Sequence, residues 1–434
     1  QTDGNGTSTT YTYNVFGAVE TATTKTLDEK KQDVSNPSDS KQEDISTKLN
    51  TKDQQIRVTS NQYDRIGRLE KSIDGEGGTV SLTYNKKGEK VSQTNQLEGT
   101  TTYEYDEMGN CTQVVNAIGN QTSYQYNAQT LRMEQSVNGE GSDTKYIYDV
   151  IGQLVKKEDA LGSIGYTYDK NGNVLTVVET DTNGKTTKIT RTYDALNRVL
   201  SYTDIYGNTI SYTYDKAGNR STMTYPDGRV CKYVKSANGN LLEVQIDGEV
   251  EASYTYDKVG RITSLVRGEG SVEQYHYDAT GRLVESIDLS GKEEELQRTK
   301  YEYNGFGEII GKEETIAGET KKTSATYCKP ADMTYNQENQ LTKWNEQEIT
   351  YDKNGNMLTG PLGDEQASYT YDCRNRLILV KTETKSISYT YDSENQRVAS
   401  SQNNKLITYI HDSNASLSHL LMENNQGTVT SYVY

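Results

Sequence analysis

A short motif, Tyr-x-Tyr-Asp-x-x-Gly-Asn/Arg, returns along most of this chain at nearly constant intervals. It reads YTYDKAGN from Tyr212, YEYDEMGN from Tyr103 and YHYDATGR from Tyr275. From Tyr63 to Tyr214 its second tyrosine recurs in steps of 21, 21, 21, 22, 20, 25 and 21 residues. A period of this length indicates a repeat array, in which each unit is stabilised by its neighbours.

Each repeat contains a second turn signal between successive motifs, seen as DGEG from Asp74, AIGN from Ala117 and PDGR from Pro226. The segments between turns have the length of ordinary strands and are too short for stable helices. Side chains two apart in a strand share a face, so Tyr212 and Tyr214 point the same way. We therefore predict an all-β chain built as an array of antiparallel β-hairpins.

The second tyrosine of each motif is predicted to be structural and to form ladders across neighbouring hairpins. Cross-strand aromatic pairs contribute roughly 0.5 to 1.5 kcal/mol beyond burial. The chain has 35 tyrosines but only two phenylalanines and one tryptophan, which indicates that the hydroxyl matters. Our hypothesis is a half-hydrated position, where the ring packs and its polar tip reaches water or backbone. These tyrosines are Tyr63, Tyr84, Tyr105, Tyr126, Tyr148, Tyr168, Tyr193, Tyr214, Tyr256, Tyr277, Tyr303, Tyr351, Tyr371 and Tyr391.

The aspartate and glycine of the motif are predicted turn residues. An aspartate after a strand accepts backbone N–H bonds, and glycine adopts positive φ without a Cβ penalty. The alternative is calcium binding, since DKNGN at Asp169 and Asp352 resembles part of a calcium loop, but the full acidic spacing is missing. We favour turns and expect no metal or cofactor. The residues are Asp64, Gly67, Asp106, Gly109, Asp149, Gly152, Asp169, Gly172, Asp215, Gly218, Asp257, Gly260, Asp278, Gly281, Asp352 and Gly355.

The composition is polar and acidic. Hydrophobic residues make up 32% of the chain. It has 62 Asp and Glu residues against 46 Lys and Arg, which gives a formal charge of -16. This balance disfavours nucleic acid or an anionic membrane as the main partner. No apolar run of about 18 residues occurs, so we expect no transmembrane segment. The aromatic and β-branched content still predicts an ordered chain with a thin core.

No catalytic constellation is apparent in the sequence. The three histidines are His276, His411 and His419, and the first two occupy repeat positions. No zinc-protease, nucleophile-elbow or P-loop motif occurs. Carboxylates are abundant in runs such as KEEEL from Lys292, which are typical of solvated surface. We predict that the chain is not an enzyme.

These recurring residues resemble the YD-repeat, or rearrangement hotspot (RHS), family of large bacterial exported proteins, whose repeats also occur in animal teneurins. The resemblance runs from about Asn61 to Tyr434, with a partial unit from Tyr11. It implies one long curved, spiralling sheet that forms a partial or complete hollow shell. In polymorphic toxins of the family, such a shell encloses a toxic C-terminal segment. The Asp-, Pro- and Gly-rich core motif and the toxin that follow it in the family lie outside these residues.

The resemblance implies a non-enzymatic shell segment of a secreted or bacterial cell-surface protein, whose partner is a C-terminal toxin cargo of the same polypeptide. The alternative is an adhesion module that binds surface glycans or neighbouring cells, because tyrosine faces also stack on sugar rings. The expected organisation is a partial repeat at 1–20, a polar insertion or disordered segment at 21–60, a regular array at 61–290, degenerate repeats with insertions at 291–345 and C-terminal repeats at 346–434.

Overall fold

The computed structural model describes residues 1–3, 7–26, 56–324, 333–414 and 418–433. These residues form 39 β-strands and no helix, which confirms the all-β prediction. None of the described segments is a helix that could cross a membrane. In chain order the strands are β1 Ser8–Tyr13, β2 Val19–Lys25, β3 Ile56–Tyr63, β4 Leu69–Ile73, β5 Thr79–Tyr84, β6 Lys90–Thr94, β7 Thr100–Tyr105, β8 Cys111–Val115, β9 Gln121–Tyr126, β10 Met133–Val137, β11 Asp143–Tyr148, β12 Leu154–Asp159, β13 Gly162–Tyr168, β14 Val174–Asp181, β15 Thr186–Tyr193, β16 Val199–Thr203, β17 Thr209–Tyr214, β18 Arg220–Thr224, β19 Val230–Lys235, β20 Leu241–Ile246, β21 Glu249–Tyr256, β22 Ile262–Arg267, β23 Val272–Tyr277, β24 Leu283–Leu289, β25 Glu295–Tyr303, β26 Ile309–Ile316, β27 Glu319–Ser324, β28 Met333–Tyr335, β29 Leu341–Trp344, β30 Gln347–Glu348, β31 Thr350–Tyr351, β32 Met357–Leu362, β33 Glu365–Tyr371, β34 Leu377–Lys381, β35 Ser386–Tyr391, β36 Arg397–Gln402, β37 Lys405–Asp412, β38 His419–Asn425 and β39 Thr428–Ser431.

Two kinds of turn alternate along the array. We call the turn that directly follows a second tyrosine a tyrosine turn, and the turn that leads to the next repeat a linking turn. In the tyrosine turn after β17, Asp215 N donates to Asn219 O at 2.9 Å and Gly218 N donates to Asp215 O at 3.1 Å. Gly218 has φ +90°, so the turn closes with a residue in the left-handed region. The ladder register shifts between Thr213 and Tyr214, which marks a bulge beside this turn.

The chain divides into two compact units. The first contains residues 1–83 and 255–328, and the second contains residues 84–254 and 329–434. In the first unit, β1 to β4 pair in sequence order, as do β22 to β27. In the second unit, pairing in sequence order joins β6 through β20, and shorter ladders comprise β28 to β30 and β31 to β39. All these pairings are antiparallel, and no sheet of the described residues closes on itself.

The second unit has a continuous apolar core on one face of its ladder. Cross-strand neighbours bring Val177 opposite Ile189 and Tyr202 opposite Ile210. Leu421 from β38 packs into the same core. On the other face, threonine hydroxyls pair across strands, as at Thr213 and Thr222, 2.7 Å apart. The strands are therefore hydrophobic on one side and polar on the other, as expected of half-solvated antiparallel ladders.

The expected organisation is only partly comparable with the structure. The predicted polar segment 21–60 overlaps β2 and β3, which pair with each other from Thr21 and Ser60 to Lys25 and Ile56. Its remainder, 27–55, lies outside the described residues, as do residues 325–332 of the predicted degenerate repeats. Within 291–345, β25 to β29 are described and keep the antiparallel hairpin pattern.

Candidate functional site

The second tyrosine of the motif is the last residue of its strand in every repeat where it was identified. This holds from Tyr63 at the end of β3 to Tyr391 at the end of β35. The eight motif glycines all have φ between +87° and +91°. A side chain larger than glycine is strained in this region, except that asparagine tolerates it better than most residues. Asn197, Asn375 and Asn395 take the glycine position in three repeats with φ of +60° to +65°.

The turn aspartate organises its loop through both carboxylate oxygens. Asp169 Oδ1 accepts the backbone N–H groups of Asn171 and Asn173, both at 2.9 Å. Its Oδ2 accepts the Asn173 side chain at 2.8 Å. Because these donors favour the charged carboxylate, the pKa of Asp169 lies below the usual aspartate value. The oxygens of Asp169 are thus occupied by the loop itself.

The last motif position is asparagine or arginine for a geometric reason. Both residues present a side-chain N–H to the second carboxylate oxygen of the turn aspartate. Asn173 does so in its turn, whereas Arg198 Nε donates to Asp194 Oδ2 at 2.7 Å. The guanidinium of Arg198 also lies 4.4 Å from the ring centroid of Tyr214, the second tyrosine of the next repeat. Such a contact stabilises neighbouring repeats through a cation–π interaction.

In most repeats the hydroxyl of the second tyrosine connects the repeat to the one before it. Tyr214 Oη donates to Val199 O at 2.7 Å, and Val199 lies two residues after Asn197, the left-handed residue of the preceding tyrosine turn. Nine second tyrosines make this bond at the same relative position: Tyr63, Tyr105, Tyr168, Tyr193, Tyr214, Tyr277, Tyr303, Tyr351 and Tyr391. Phenylalanine lacks this donor, which accounts for the preference for tyrosine.

His411 occupies the place of a second tyrosine and reproduces the same contact. Its Nε2 lies 3.0 Å from Arg397 O, two residues after Asn395. Donation to a carbonyl requires the tautomer with a proton on Nε2. Burial lowers the pKa of His411, which keeps the ring neutral at physiological pH. The histidine is therefore a repeat residue, as its position in the motif predicts.

The contacts of the tyrosine rings differ from the tyrosine–tyrosine ladders that the sequence led us to expect. In the described residues, ring–ring contacts join Tyr11 with Tyr13 and Tyr409 with His411. Several second tyrosines instead lie beside an arginine, as Tyr277 does beside Arg261, and the first tyrosine Tyr212 faces Met223 across the ladder. The reason is spacing: equivalent tyrosines lie two strands apart, roughly 9 to 10 Å, so another strand's side chains separate them.

A line of polar contacts in the second unit joins residues about 200 positions apart, and we call it the seam. It runs between the hairpins of β28 to β39 and those of β6 to β20. Arg374 lies in a tyrosine turn and contacts two carboxylates across the seam. Its Nε donates to Asp159 Oδ2 at 2.6 Å, and its Nη1 donates to Glu179 Oε1 at 2.5 Å. The side chain of Arg374 is only 11% exposed, so this cluster is largely removed from water.

Asp412 forms the second cluster of the seam. It is 1% exposed and accepts the Tyr212 hydroxyl at 2.7 Å, while Arg220 pairs with its other oxygen. The Arg220 guanidinium also lies 4.5 Å from the ring centroid of Tyr212. Arg191 and Glu394 form a third ion pair of the seam at 2.5 Å. Breaking a buried ion pair is strongly destabilising, so any arrangement of the repeats that separated these partners would be disfavoured.

The seam residues were not identified from the sequence. Asp412 follows His411 at the end of β37, but its partners Tyr212 and Arg220 lie 200 and 192 positions earlier. A repeat period indicates which residues occupy equivalent places, whereas it carries no information about which repeats face each other. The one sequence feature that matches the seam is the charge of residues in the turns that form it, such as Arg374 and Glu394.

The described residues contain no group of three His, Cys, Asp or Glu side chains able to hold a metal ion. Two recesses, of about 590 and 630 Å³, lie between adjacent repeats and are lined by turn residues such as Asp215 and Asp106. His276 is exposed, and its Nε2 lies 4.0 Å from Glu285. The geometry thus offers a scaffold held by turns, hydroxyls and seam ion pairs.

Comparison with known proteins gives the same picture of the fold. The teneurin YD-shell family model matches residues 128–263 and 271–434. No curated protein matches the sequence. The Tc holotoxin pore of Photorhabdus luminescens aligns with 98% of this chain and 24% of that chain, at 15% identity and a TM-score of 0.64. The TcdB2-TccC3-Cdc42 crystal structure aligns with 98% of this chain and 25% of that chain, at 16% identity and a TM-score of 0.60. The chain spans about a quarter of the length of these structures.

Proposed function

The chain belongs to the teneurin YD-shell family, and from this premise we propose that it is a non-catalytic wall segment of a large secreted or cell-surface bacterial protein. The wall encloses or displays a toxin-type cargo carried by the same polypeptide. The observation that carries the proposal is the likeness of almost the whole chain to Tc toxin structures, added to the family match.

The chemistry of the chain is consistent with a barrier. Turn aspartates such as Asp169 accept hydrogen bonds from their own loops. Nine tyrosine hydroxyls donate to the backbone of the preceding repeat. Polar groups that satisfy each other contribute rigidity and leave few free groups to act on a substrate. A wall acts by excluding proteases and solvent components from what lies behind it.

Protease protection tests the proposal directly. The complete gene product that contains residues 1–434 is digested, and cleavage outside these residues is followed by mass spectrometry. The same outside segments are then digested without residues 1–434. We expect cleavage to be at least about tenfold slower in the presence of the wall, because a protected segment is cut only when the enclosure opens. Equal rates, or a gene product with no further segment, would refute the proposal.

A glycan array separates this function from adhesion. Tyr206 is 49% exposed and is a suitable aromatic platform for a sugar ring. The wall proposal expects no oligosaccharide binding by the purified chain. Reproducible binding that is lost in Tyr206→Ala, with an unchanged melting temperature, would support the adhesion module instead.

A further inference from the structure

The two turns with the sequence DKNGN are each hydrogen-bonded to the tyrosine turn of the next repeat. In the turn that begins at Asp169, Asn171 Nδ2 and Asn173 Nδ2 donate to Asn197 Oδ1 at 2.9 and 2.8 Å. Two side-chain amides of one turn therefore converge on a single oxygen of the neighbouring turn. We call such a set of three residues an asparagine bridge.

A second asparagine bridge follows the turn that begins at Asp352. Asn354 Nδ2 and Asn356 Nδ2 donate to Asn375 Oδ1 at 2.9 and 3.0 Å. The acceptors of the two bridges, Asn197 and Asn375, occupy the glycine position of their motifs, with φ of +63° and +60°. Glycine adopts this backbone conformation more easily but has no side-chain oxygen. The bridge therefore requires asparagine, not glycine, at this position.

The second bridge lies directly at the seam. Lys353 N, next to the donor Asn354, donates to Glu140 Oε1 at 2.6 Å. Arg374, next to the acceptor Asn375, pairs with the two carboxylates across the seam described above. The bridge thus connects two neighbouring tyrosine turns that both contact the other side of the seam.

The partners on the other side of the seam lie in consecutive linking turns. Glu140 is in the turn after β10, and Asp159 ends β12 and begins the next linking turn. Asn138 Nδ2 donates to Cys373 O at 3.4 Å, so the turn after β10 contacts both tyrosine turns. Because the bridge fixes the distance between the two tyrosine turns, movement of one turn away from the seam displaces the other.

We propose that the bridge at Asn375 makes the turns of Lys353 and Arg374 one unit, so that their contacts across the seam form and break together. An exposed amide hydrogen bond is weak on its own, but two bonds converge on one acceptor here. Asn356 is also held by Asp352, whose Oδ2 accepts its Nδ2 at 2.8 Å. Asn375 is therefore a positioning residue of the seam. This inference concerns the opening of the seam and does not depend on the proposed function.

Hydrogen exchange of the Lys353 amide in the full chain tests the proposal. This N–H donates to Glu140 and becomes free to exchange when its turn leaves the seam. Arg374→Met breaks the ion pairs of the neighbouring turn and is expected to speed exchange at Lys353 at least about fivefold. In an Asn375→Gly background, the same change should alter the rate at Lys353 by less than about twofold. The amide of Ile189, in the buried core, reports global unfolding in the same experiment.

Two further backgrounds separate the bridge from a general effect of glycine. Asn395→Gly is the matched control, because Asn395 has φ +65° but the turn before it has Arg374 and Arg376 at the two donor positions. The response of Lys353 to Arg374→Met should persist in this background. Asn375→Asp keeps an acceptor oxygen and tolerates the left-handed conformation, so it should retain the response that Asn375→Gly loses.

Four results would each overturn the proposal. They are no response at Lys353 in the otherwise wild-type chain, an equal response in Asn375→Gly, loss of the response in Asn395→Gly, and its loss in Asn375→Asp. Should Arg374→Met fail to fold or speed exchange at Ile189 equally, Asp159→Asn replaces it. That change weakens the same ion pair but leaves a neutral amide in place of the carboxylate, so it is the milder perturbation.

Discussion

Replacing Tyr168 with phenylalanine removes one hydroxyl and keeps the ring. The Tyr168 hydroxyl donates to Leu154 O at 2.6 Å, a bond that joins two repeats. A hydrogen bond of this kind contributes about 1 kcal/mol net, and up to about 3 kcal/mol when the abandoned carbonyl stays dry. Tyr193 and Tyr214 make the equivalent bonds at 2.9 and 2.7 Å. The triple Tyr→Phe variant is therefore expected to lose about 3 kcal/mol or more if the sites act independently.

Thermal unfolding followed by circular dichroism measures this loss. For a unit of this size, 1 kcal/mol corresponds to about 2 °C, so the triple variant should melt about 6 °C lower or more. Tyr126→Phe is the matched control, because Tyr126 ends β9 at the same motif position but is not one of the nine tyrosines whose hydroxyl binds the preceding repeat. Its stability should change by less than about 0.5 kcal/mol. Equal melting temperatures for the triple variant and the wild type would refute a stabilising role for these hydroxyls.

Three further changes test the turns and the seam. Gly218→Val places a β-branched residue at φ +90° and should cost about 1 to 3 kcal/mol, whereas Gly218→Asn should cost much less; equal melting of the two variants would contradict the turn assignment. Arg374→Met leaves Asp159 and Glu179 unpaired and should cost about 3 to 5 kcal/mol, with faster hydrogen exchange in β12 and β14; unchanged exchange would show that the seam is dispensable. Burial raises the pKa of Asp392 to about 6, above its unfolded value, so its contribution to stability is full at low pH and is lost as the pH rises through about 6. The stability of Asp392→Asn should therefore be close to that of the wild type near pH 4 and exceed it by about 3 kcal/mol at pH 8, and a pH-independent difference in melting would contradict this sign.

The sequence predicts the local structure because the repeat motif encodes local geometry. A glycine three positions after Asp215 specifies a left-handed residue, and strand length follows from the distance between turns. The same reasoning extends to His411, whose place in the motif identifies it as a repeat residue. Each of these features depends on residues within a few positions of one another.

The contacts between distant repeats could not be predicted in the same way. The motif shows that tyrosine is preferred to phenylalanine, but the acceptor, a carbonyl in the preceding repeat, follows only from the bulged register beside the turn. The seam is even harder to predict from the sequence, since the pairing of Arg374 with Asp159 depends on how hairpins about 200 residues apart meet. Charged residues occupy equivalent positions in many repeats and could form the same kind of ion pair. A single sequence does not show which of them are partners.

The hydroxyl bonds between repeats all point toward the amino terminus, because each donor lies 10 to 44 residues after its acceptor. A hairpin that leaves the ribosome therefore finds its acceptor carbonyl in chain that has already been synthesised. Each new repeat can form this hydrogen bond with the repeat translated before it and does not depend on residues still to be translated. This polarity favours growth of the array in step with translation, which limits the time that unpaired strand edges spend in solution.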